Sequence, residues 1–408
     1  MVQLSLKNQQ IGMYCLEDDE KMNPLKYIKI WGNEACPCGS GIKYKDCCKN
    51  KGTTSNQNSK KPPEVQIMEM MRKSTERCCM HPNQSQCKGG IKKAHALQNN
   101  KIISMLSGSD RHVYIMDAKK QPLIIPMKNG ESDVIIKISK TSAKQTTTET
   151  CFCDYHDNIA FAAIEKDAPD FDETNEEMKF VYAYKAFIFE YYKQRTAMDV
   201  FKECFKKNPV AFKSASMVGM YRMLQLKMDE FEPVKSHFDK EILAGTHAGI
   251  TTCVIKIPEQ IKFADYAYIA PDYDLDGNRI KHTVKGVMHR IAITVFPELT
   301  QSYILLSCLE TEKSIYQKLF DQLKTASVDK VKFYISMILP LYSENMVLSP
   351  ELWNNWNEDN QQAYAFYANL KGPQATVYGK AIGMGLRNAA KCGSNFDYSK
   401  RGKLDLFM

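Results

Sequence analysis

The spacing of apolar and polar residues changes along this 408-residue chain. Apolar residues at helical spacing predict a short helix after Pro63 and two long helices over residues 178–207 and 218–243. Four apolar runs between residues 249 and 308 predict strands, and helical spacing returns over residues 310–370. This order predicts an α+β fold, in which the larger C-terminal domain combines long helices with a small antiparallel sheet.

Shorter elements are predicted before residue 176. Apolar runs predict strands over residues 91–97, 112–117 and 133–139, and polar composition predicts a loop over residues 141–150. A helix is expected to begin at Asn158, directly after a run of residue types that bind metals. These elements together predict a small domain built around a metal rather than around a large apolar core.

The length predicts two or three domains, because single cores seldom grow to this size. We expect a lead-in over residues 1–30, a cysteine-rich module over 31–50 and a flexible polar linker over 51–63. A metal-binding domain is then expected over 64–175, followed by a C-terminal domain over 176–408. The sequence does not decide whether that last domain senses a ligand, binds a partner or dimerises.

The formal net charge is +8, and lysines are concentrated in the N-terminal half. Such a distribution is compatible with a phosphate-bearing partner, although a charge run is more often a solvated face. We see no N-terminal export signal and no apolar run of about 18 residues, so a soluble cytoplasmic protein with no membrane partner is expected. Fourteen cysteines in such a chain favour metal ligation over disulfides.

The first metal motif is a C-x-C-x8-CC pattern formed by Cys36, Cys38, Cys47 and Cys48. Four thiols in a loop too short to have its own core predict a structural zinc site, because the metal supplies the folding energy. The motif and its surrounding residues, from Asn33 to Cys48, resemble the SEC-C zinc motif of the bacterial preprotein translocase ATPase. That resemblance implies a small docking module for a protein partner or nucleic acid; the alternative is a zinc staple without a partner.

A second set of soft ligands is split between two distant stretches. Cys79 and Cys87 lie in the first, and Cys153 and His156 form a turn-sized pair in the second. Zinc suits four such ligands because it accepts thiolate and imidazole in a tetrahedron. The assignment of the first pair stays open, since Cys78 or His81 could replace Cys79.

The order of knuckle, histidine-bearing strand, second knuckle and helix is similar to that of the HNH endonuclease family of treble-clef ββα-metal nucleases. The resemblance implies that His95 is the general base and that Asp157 binds a catalytic Mg²⁺ or another divalent cation. This chain departs from the family in its C-x7-C first pair and its long insertion between the two knuckles. The asparagine of the family motif is not fixed, and three residues are candidates for it: Asn99, Asn100 and Asn158.

The resemblance implies a metal-dependent nuclease acting on DNA or RNA. The same stretches also resemble SEC-C-linked bacterial proteins from phage-defence neighbourhoods, which implies a role in antiviral defence. Nucleic acid is therefore the expected partner, with lysines between Lys119 and Lys144 contacting phosphates. The alternative is a non-catalytic two-zinc adaptor that binds nucleic acid or a protein. A protein partner through the SEC-C-like module and self-association both stay open.

Overall fold

A computed structural model describes residues 29–51, 63–73, 77–118, 120–126, 132–165, 168–210, 214–370 and 372–408. Most of the predicted lead-in over residues 1–30 lies outside the described residues. The same holds for the predicted linker over residues 51–63, of which only the two end residues are described.

The α-helices of the described chain fall into a short N-terminal set and a long C-terminal set. The three-residue helix α2 directly continues a π-helical turn at Asn99–Ile103. In chain order the helices are α1 (Pro63–Lys73), α2 (Ser104–Leu106), α3 (Asp154–Ala160), α4 (Glu176–Lys207), α5 (Ala215–Ala244), α6 (Lys313–Thr325), α7 (Val328–Tyr342), α8 (Pro350–Asn355), α9 (Glu358–Asn369) and α10 (Gly372–Cys392).

The strands form one large sheet and three two-stranded ribbons within the described residues. In chain order they are β1 (Ile91–His95), β2 (His112–Met116), β3 (Leu123–Pro126), β4 (Ser132–Ile135), β5 (Ile138–Ser142), β6 (Thr148–Cys153), β7 (Ile250–Ile257), β8 (Phe263–Ile269), β9 (Thr283–Val284), β10 (Val287–Met288), β11 (Ile291–Pro297), β12 (Ser302–Leu309) and β13 (Val347–Leu348).

The large sheet has seven strands in the order β5-β2-β13-β8-β11-β12-β7, and all neighbours are antiparallel. The short strand β13 joins its two halves, because Val347 pairs with Ile115 of β2 on one side and with Ala264 of β8 on the other. Two strands from the predicted metal-binding domain thus extend the C-terminal sheet. The sheet thus contains strands from both sides of the predicted division at residue 175, which stays a prediction.

Both faces of the sheet are covered, which explains why its central strands are apolar throughout. All seven residues of β8 and of β11 are buried. One face packs against α4 and α5 through residues such as Tyr268 and Phe187, and the opposite face packs against α6 and α7 through residues such as Ile293 and Tyr334. This layered arrangement of helices and an antiparallel sheet confirms the predicted α+β class.

Helix α4 lies at the centre of the molecule and contacts most other parts of it. The Asn175 side chain accepts a hydrogen bond from the backbone N–H of Met178 at 3.0 Å and so caps the first turn. Aromatic residues then appear on almost every side of the helix, including Phe180, Phe189 and Tyr192, all at most 2% exposed. A helix with apolar residues all round must be enclosed, and this one packs against both the large sheet and β6.

Several predicted elements differ from the observed ones. The predicted polar loop over residues 141–150 contains the end of β5 and the start of β6, and the predicted strand over 133–139 is two strands. The helix expected from Asn158 begins earlier, at Asp154. Helix α10 was not predicted, because its glycines and alanines weaken the apolar signal. No helix in the described residues combines the length and the apolar character needed to cross a membrane.

Candidate metal centre

The first cysteine set converges on one point. The thiol sulfurs of Cys36, Cys38, Cys47 and Cys48 lie within 4.8 Å of one another. The backbone reaches this geometry through a tight loop, in which the Cys36 N–H donates to the Ile42 carbonyl at 2.9 Å. The loop requires left-handed backbone at two glycines between the cysteines, Gly39 (φ 76°) and Gly41 (φ 73°).

The second set also converges, although 65 residues lie between its two halves in sequence, from Cys87 to Cys153. The Nδ1 atom of His156 lies 3.3 Å from the sulfur of Cys79, 3.5 Å from that of Cys87 and 3.2 Å from that of Cys153. All four ligand atoms lie within 4.8 Å of one another. The Cys153 sulfur also accepts the His156 backbone N–H at 3.4 Å, which caps α3 and holds the pair together.

The residues left open as alternatives take other positions. His81 stacks on the His156 ring with 3.9 Å between ring centroids, and its Nδ1 accepts the Asn83 backbone N–H at 3.2 Å. Burial lowers the pKa of His81 to about 4, and the neighbouring charges of His156 and Lys235 add to this effect. Neither Cys78 nor His81 belongs to the convergent group, which contains Cys79.

Both centres have the donor set of a structural zinc site. Each centre offers four ligands. Each also contains buried residues, for example Cys48 in the first centre and His156 in the second, which are 1% and 0% exposed. Zinc accepts four thiolate and imidazole ligands in a tetrahedron and then has no open position for a substrate. We conclude that the two clusters can hold metal and that the geometry suits zinc as a scaffold.

The second centre lies beside a two-stranded ribbon that is followed directly by a helix. Strand β1 pairs antiparallel with β6, so that Ile91 lies opposite Cys153 and His95 lies opposite Thr148. A register shift between Lys92 and Ala94 turns the end of β1. Helix α3 follows β6 without a gap and carries His156 in its first turn.

His95 stands at the end of β1 with its ring largely enclosed. Its Nε2 atom is buried and has no hydrogen-bond partner among the described residues, while the ring makes a hydrogen bond with the Lys144 backbone. Burial lowers the pKa of His95, and the ammonium of Lys185 adds to this effect; Glu165, the Lys144 carbonyl and Asp157 oppose it. The ring is therefore neutral at pH 7, with one nitrogen occupied and the other enclosed and without a hydrogen-bond partner among the described residues.

Asp157 lies in α3 beside His156, a member of the second convergent group, but its carboxylate is engaged. The Lys92 ammonium lies 2.9 Å from Asp157, and it also reaches Asp154 at 3.2 Å and Asn158 at 3.3 Å. The described residues contain no third cluster of metal-binding side chains. A single carboxylate paired with a lysine does not fit a resident Mg²⁺, which prefers oxygen ligands from one or two carboxylates that are free to bind it.

The three candidate asparagines differ in their burial and in their hydrogen-bond partners. The side-chain oxygen of Asn158 accepts from Lys92, whereas the side-chain oxygen of Asn99 is buried and has no hydrogen-bond partner among the described residues. Asn100 is exposed, and its oxygen accepts from the Asn99 amide at 3.5 Å. Asn99 is thus the enclosed candidate, four residues past His95.

Comparison with known proteins identifies one short part of the chain. Residues 33–50 match the SEC-C motif. No curated protein and no solved structure matches the chain. The match covers the first cysteine cluster alone, and from here we call residues 33–50 the SEC-C module.

Hydrogen bonding within the SEC-C module favours the thiolate form of Cys38. Burial raises the pKa of the Cys38 thiol, but hydrogen bonds from Ser40 and from neighbouring thiols outweigh it and lower the pKa to about 6. Burial also raises the pKa of Cys48, and here the neighbouring thiols add to the effect. One thiolate is therefore already favoured at pH 7, and a zinc ion would stabilise the others.

The SEC-C module packs against the end of α4. The Tyr44 ring lies 6.2 Å from the Phe205 ring in an edge-to-face arrangement, and Arg222 of α5 forms an ion pair with Glu34. Cys48 and Tyr44 share one buried cluster with Phe201 and Phe205. The module is thus part of the folded body, and its contact with the long helices was not predicted.

Sequence reasoning also missed two charged residues beside His95. Glu165 forms an ion pair with Lys185, which is only 2% exposed, and the Lys185 ammonium lies 4.6 Å from the centre of the Phe161 ring. A lysine within the apolar pattern of α4 was the one available signal, because a buried lysine requires a counter-charge.

Proposed function

We propose that this protein hydrolyses phosphodiester bonds of DNA or RNA and that His95 is the general base. The observation that carries the proposal is the position of His95 at the end of β1. There the ribbon of β1 and β6 and the helix α3 adjoin the Cys79–Cys87–Cys153–His156 centre. The Nε2 atom of His95 has no hydrogen-bond partner among the described residues. This is the arrangement expected when zinc supplies the scaffold and a histidine supplies the chemistry.

The chemistry rests on a neutral imidazole held in one orientation. The hydrogen bond between the ring and the Lys144 backbone occupies one ring nitrogen, so that Nε2 keeps its lone pair for a water proton. Lys185 and Lys92 lie near His95 and Asp157, where Lys185 is paired with Glu165 and Lys92 with Asp157. A phosphate bound at His95 would compete with these carboxylates for the two ammonium groups, which would then stabilise the negative charge that develops during hydrolysis.

The test compares His95→Ala with His112→Ala. His112 is an exposed histidine on β2 that interacts with Asp110, so it controls for loss of a histidine as such. We expect His95→Ala to lower the cleavage rate by about 10²- to 10⁴-fold, which is the usual contribution of a general base, while His112→Ala has little effect. Single- and double-stranded DNA and RNA serve as substrates, and the zinc content of each variant is measured in parallel.

A second candidate is a non-catalytic adaptor that uses two zinc centres to bind nucleic acid or a protein. The pairing of Asp157 with Lys92 favours it, because the carboxylate expected to hold a catalytic cation is already neutralised. In that case His95→Ala leaves every measured property unchanged. Nucleic-acid binding without cleavage by wild-type protein, with an affinity that falls steeply with salt, supports the adaptor. The defence role implied by the sequence resemblance stays a prediction.

A further inference from the structure

A cavity of about 240 Å³ lies where the metal-binding part meets the large sheet. Three separate parts of the chain form its walls. Gln98 directly precedes the π-helical turn and Met105 lies in α2, Tyr182 comes from the start of α4, and Phe296 comes from the end of β11. Small-molecule sites often lie at such junctions, and a volume just below the usual range of about 300–1,000 Å³ suits one ring system.

The cavity and the His95 site share their supporting elements. Gln98 lies three residues after His95, and Ile164, which lines the cavity, directly precedes Glu165. Tyr182 lies three residues, about one helical turn, before Lys185 on α4. A ligand in the cavity would therefore contact the same three segments of the chain that carry His95, Glu165 and Lys185.

The walls are suited to a flat and largely apolar ligand. Phe296 is stacked on Tyr182 with 4.7 Å between ring centroids, and the Phe171 ring meets Phe296 edge-on at 5.8 Å. Gln98 is buried, and its side chain makes a hydrogen bond with the Tyr182 hydroxyl. Aromatic rings with a carboxamide nearby are the residue types that proteins use to stack single bases and to read their edges.

The charge of the walls disfavours phosphate in the cavity itself. Two carboxylates line it, those of Asp170 and Glu298. The lysine of the lining, Lys101, has its ammonium hydrogen-bonded to the Ala168 carbonyl and to the Pro169 carbonyl at 3.0 Å. A base that carries an amino group complements the Asp170 carboxylate, because the Glu298 oxygens already accept the Phe171 backbone N–H and the Gln301 amide; a phosphate would be repelled by both carboxylates.

We infer that the cavity holds one unstacked nucleobase of a single-stranded substrate whose adjoining phosphate lies at His95. The inference rests on the proposed nuclease function and adds the class of substrate to it. Single-stranded nucleic acid is expected because a base within a duplex cannot leave the stack without loss of pairing energy. The cavity would then position the phosphate through the base and would give the enzyme its preference among bases.

The test measures binding of adenosine, cytidine, guanosine and uridine to the zinc-loaded full-length protein by ligand-observed nuclear magnetic resonance. Met105→Trp fills the cavity, and Met384→Trp, at a 59% exposed position on α10, is the matched control. We expect at least one nucleoside to bind wild-type protein and Met384→Trp. In Met105→Trp its affinity should fall by about tenfold or more, which is the size expected for loss of one stacked base.

Folding is checked by zinc content, and Ser104→Leu, a smaller change in the same wall, replaces Met105→Trp if that variant does not fold. The inference is overturned if wild-type protein binds none of the four nucleosides, or if filling the cavity leaves binding unchanged. The cleavage assay with His95→Ala tests the nuclease, and the nucleoside-binding assay tests the cavity, so the two proposals can fail separately. Cleavage without nucleoside binding contradicts the cavity assignment alone, and nucleoside binding by a protein that cleaves nothing contradicts the nuclease alone.

Discussion

Replacing Cys153 by Ser should remove one of two zinc ions, and Cys151→Ser provides a matched control. Both cysteines lie on β6 and are at most 1% exposed, so each substitution places a hydroxyl at a buried thiol position. Only Cys153 belongs to the ligand group, in which its sulfur lies 3.2 Å from His156 Nδ1. Burial raises the pKa of Cys151 well above its ordinary value, so that thiol stays protonated and is a poor ligand.

The magnitude follows from the same contacts. A structural zinc site contributes about 10–16 kcal/mol in small zinc-binding peptides, so the share of one of four ligands, about 2.5–4 kcal/mol, is the least that a variant without the ion can lose. Burying a hydroxyl without a good partner costs about 1–3 kcal/mol in either variant and cancels in the comparison. Cys153→Ser should therefore unfold in urea with a free energy at least about 2.5–4 kcal/mol below that of Cys151→Ser.

Elemental analysis of the purified proteins provides the second measurement. We expect two zinc ions per chain in wild-type protein and in Cys151→Ser, and one in Cys153→Ser. Equal zinc content in all three proteins would refute the ligand assignment. A single zinc ion in every protein would mean that the SEC-C module alone binds metal, and the scaffold proposed for His95 would then lose its basis.

Three further predictions concern the buried charges and the SEC-C module. Glu190 and Lys193 form a buried ion pair: their charged atoms lie 2.9 Å apart, and their side chains are at most 6% exposed. Glu190→Gln or Lys193→Met alone should lower the free energy of unfolding by about 3–5 kcal/mol, and the double variant should lower it by less. Burial lowers the pKa of Lys227 to about 8, and folding therefore releases its proton between pH 8 and about 10.4. The free energy of unfolding should rise with pH in that window, and urea titrations of Lys227→Met should lack this contribution. Cys47→Ser should reduce zinc to one ion per chain and speed proteolysis within residues 33–50, whereas Cys204→Ser in the adjoining helix should keep both ions.

The local spacing of residues was sufficient to predict those parts of the site that lie close together in sequence. A C-x-C-x8-CC run and a C-x2-H pair predict which atoms can meet, because few backbone paths join residues so near to one another. The long helix α4 was also predicted, since its apolar residues continue for many turns. In contrast, the start of β6 was predicted as a polar loop, because Thr148 and Glu149 are polar residues that the fold buries.

The sequence by itself therefore determined the α+β class, the SEC-C motif and the chemical types that can bind metal. Tertiary structure alone decided which partners those residues meet. Cys79 rather than His81 joins the second centre, Lys92 neutralises Asp157, and a lysine of α4 lies beside His95. Each of these results depends on strands or helices far apart in sequence coming together, and such pairings are set by how the apolar faces of the whole chain pack rather than by any local pattern.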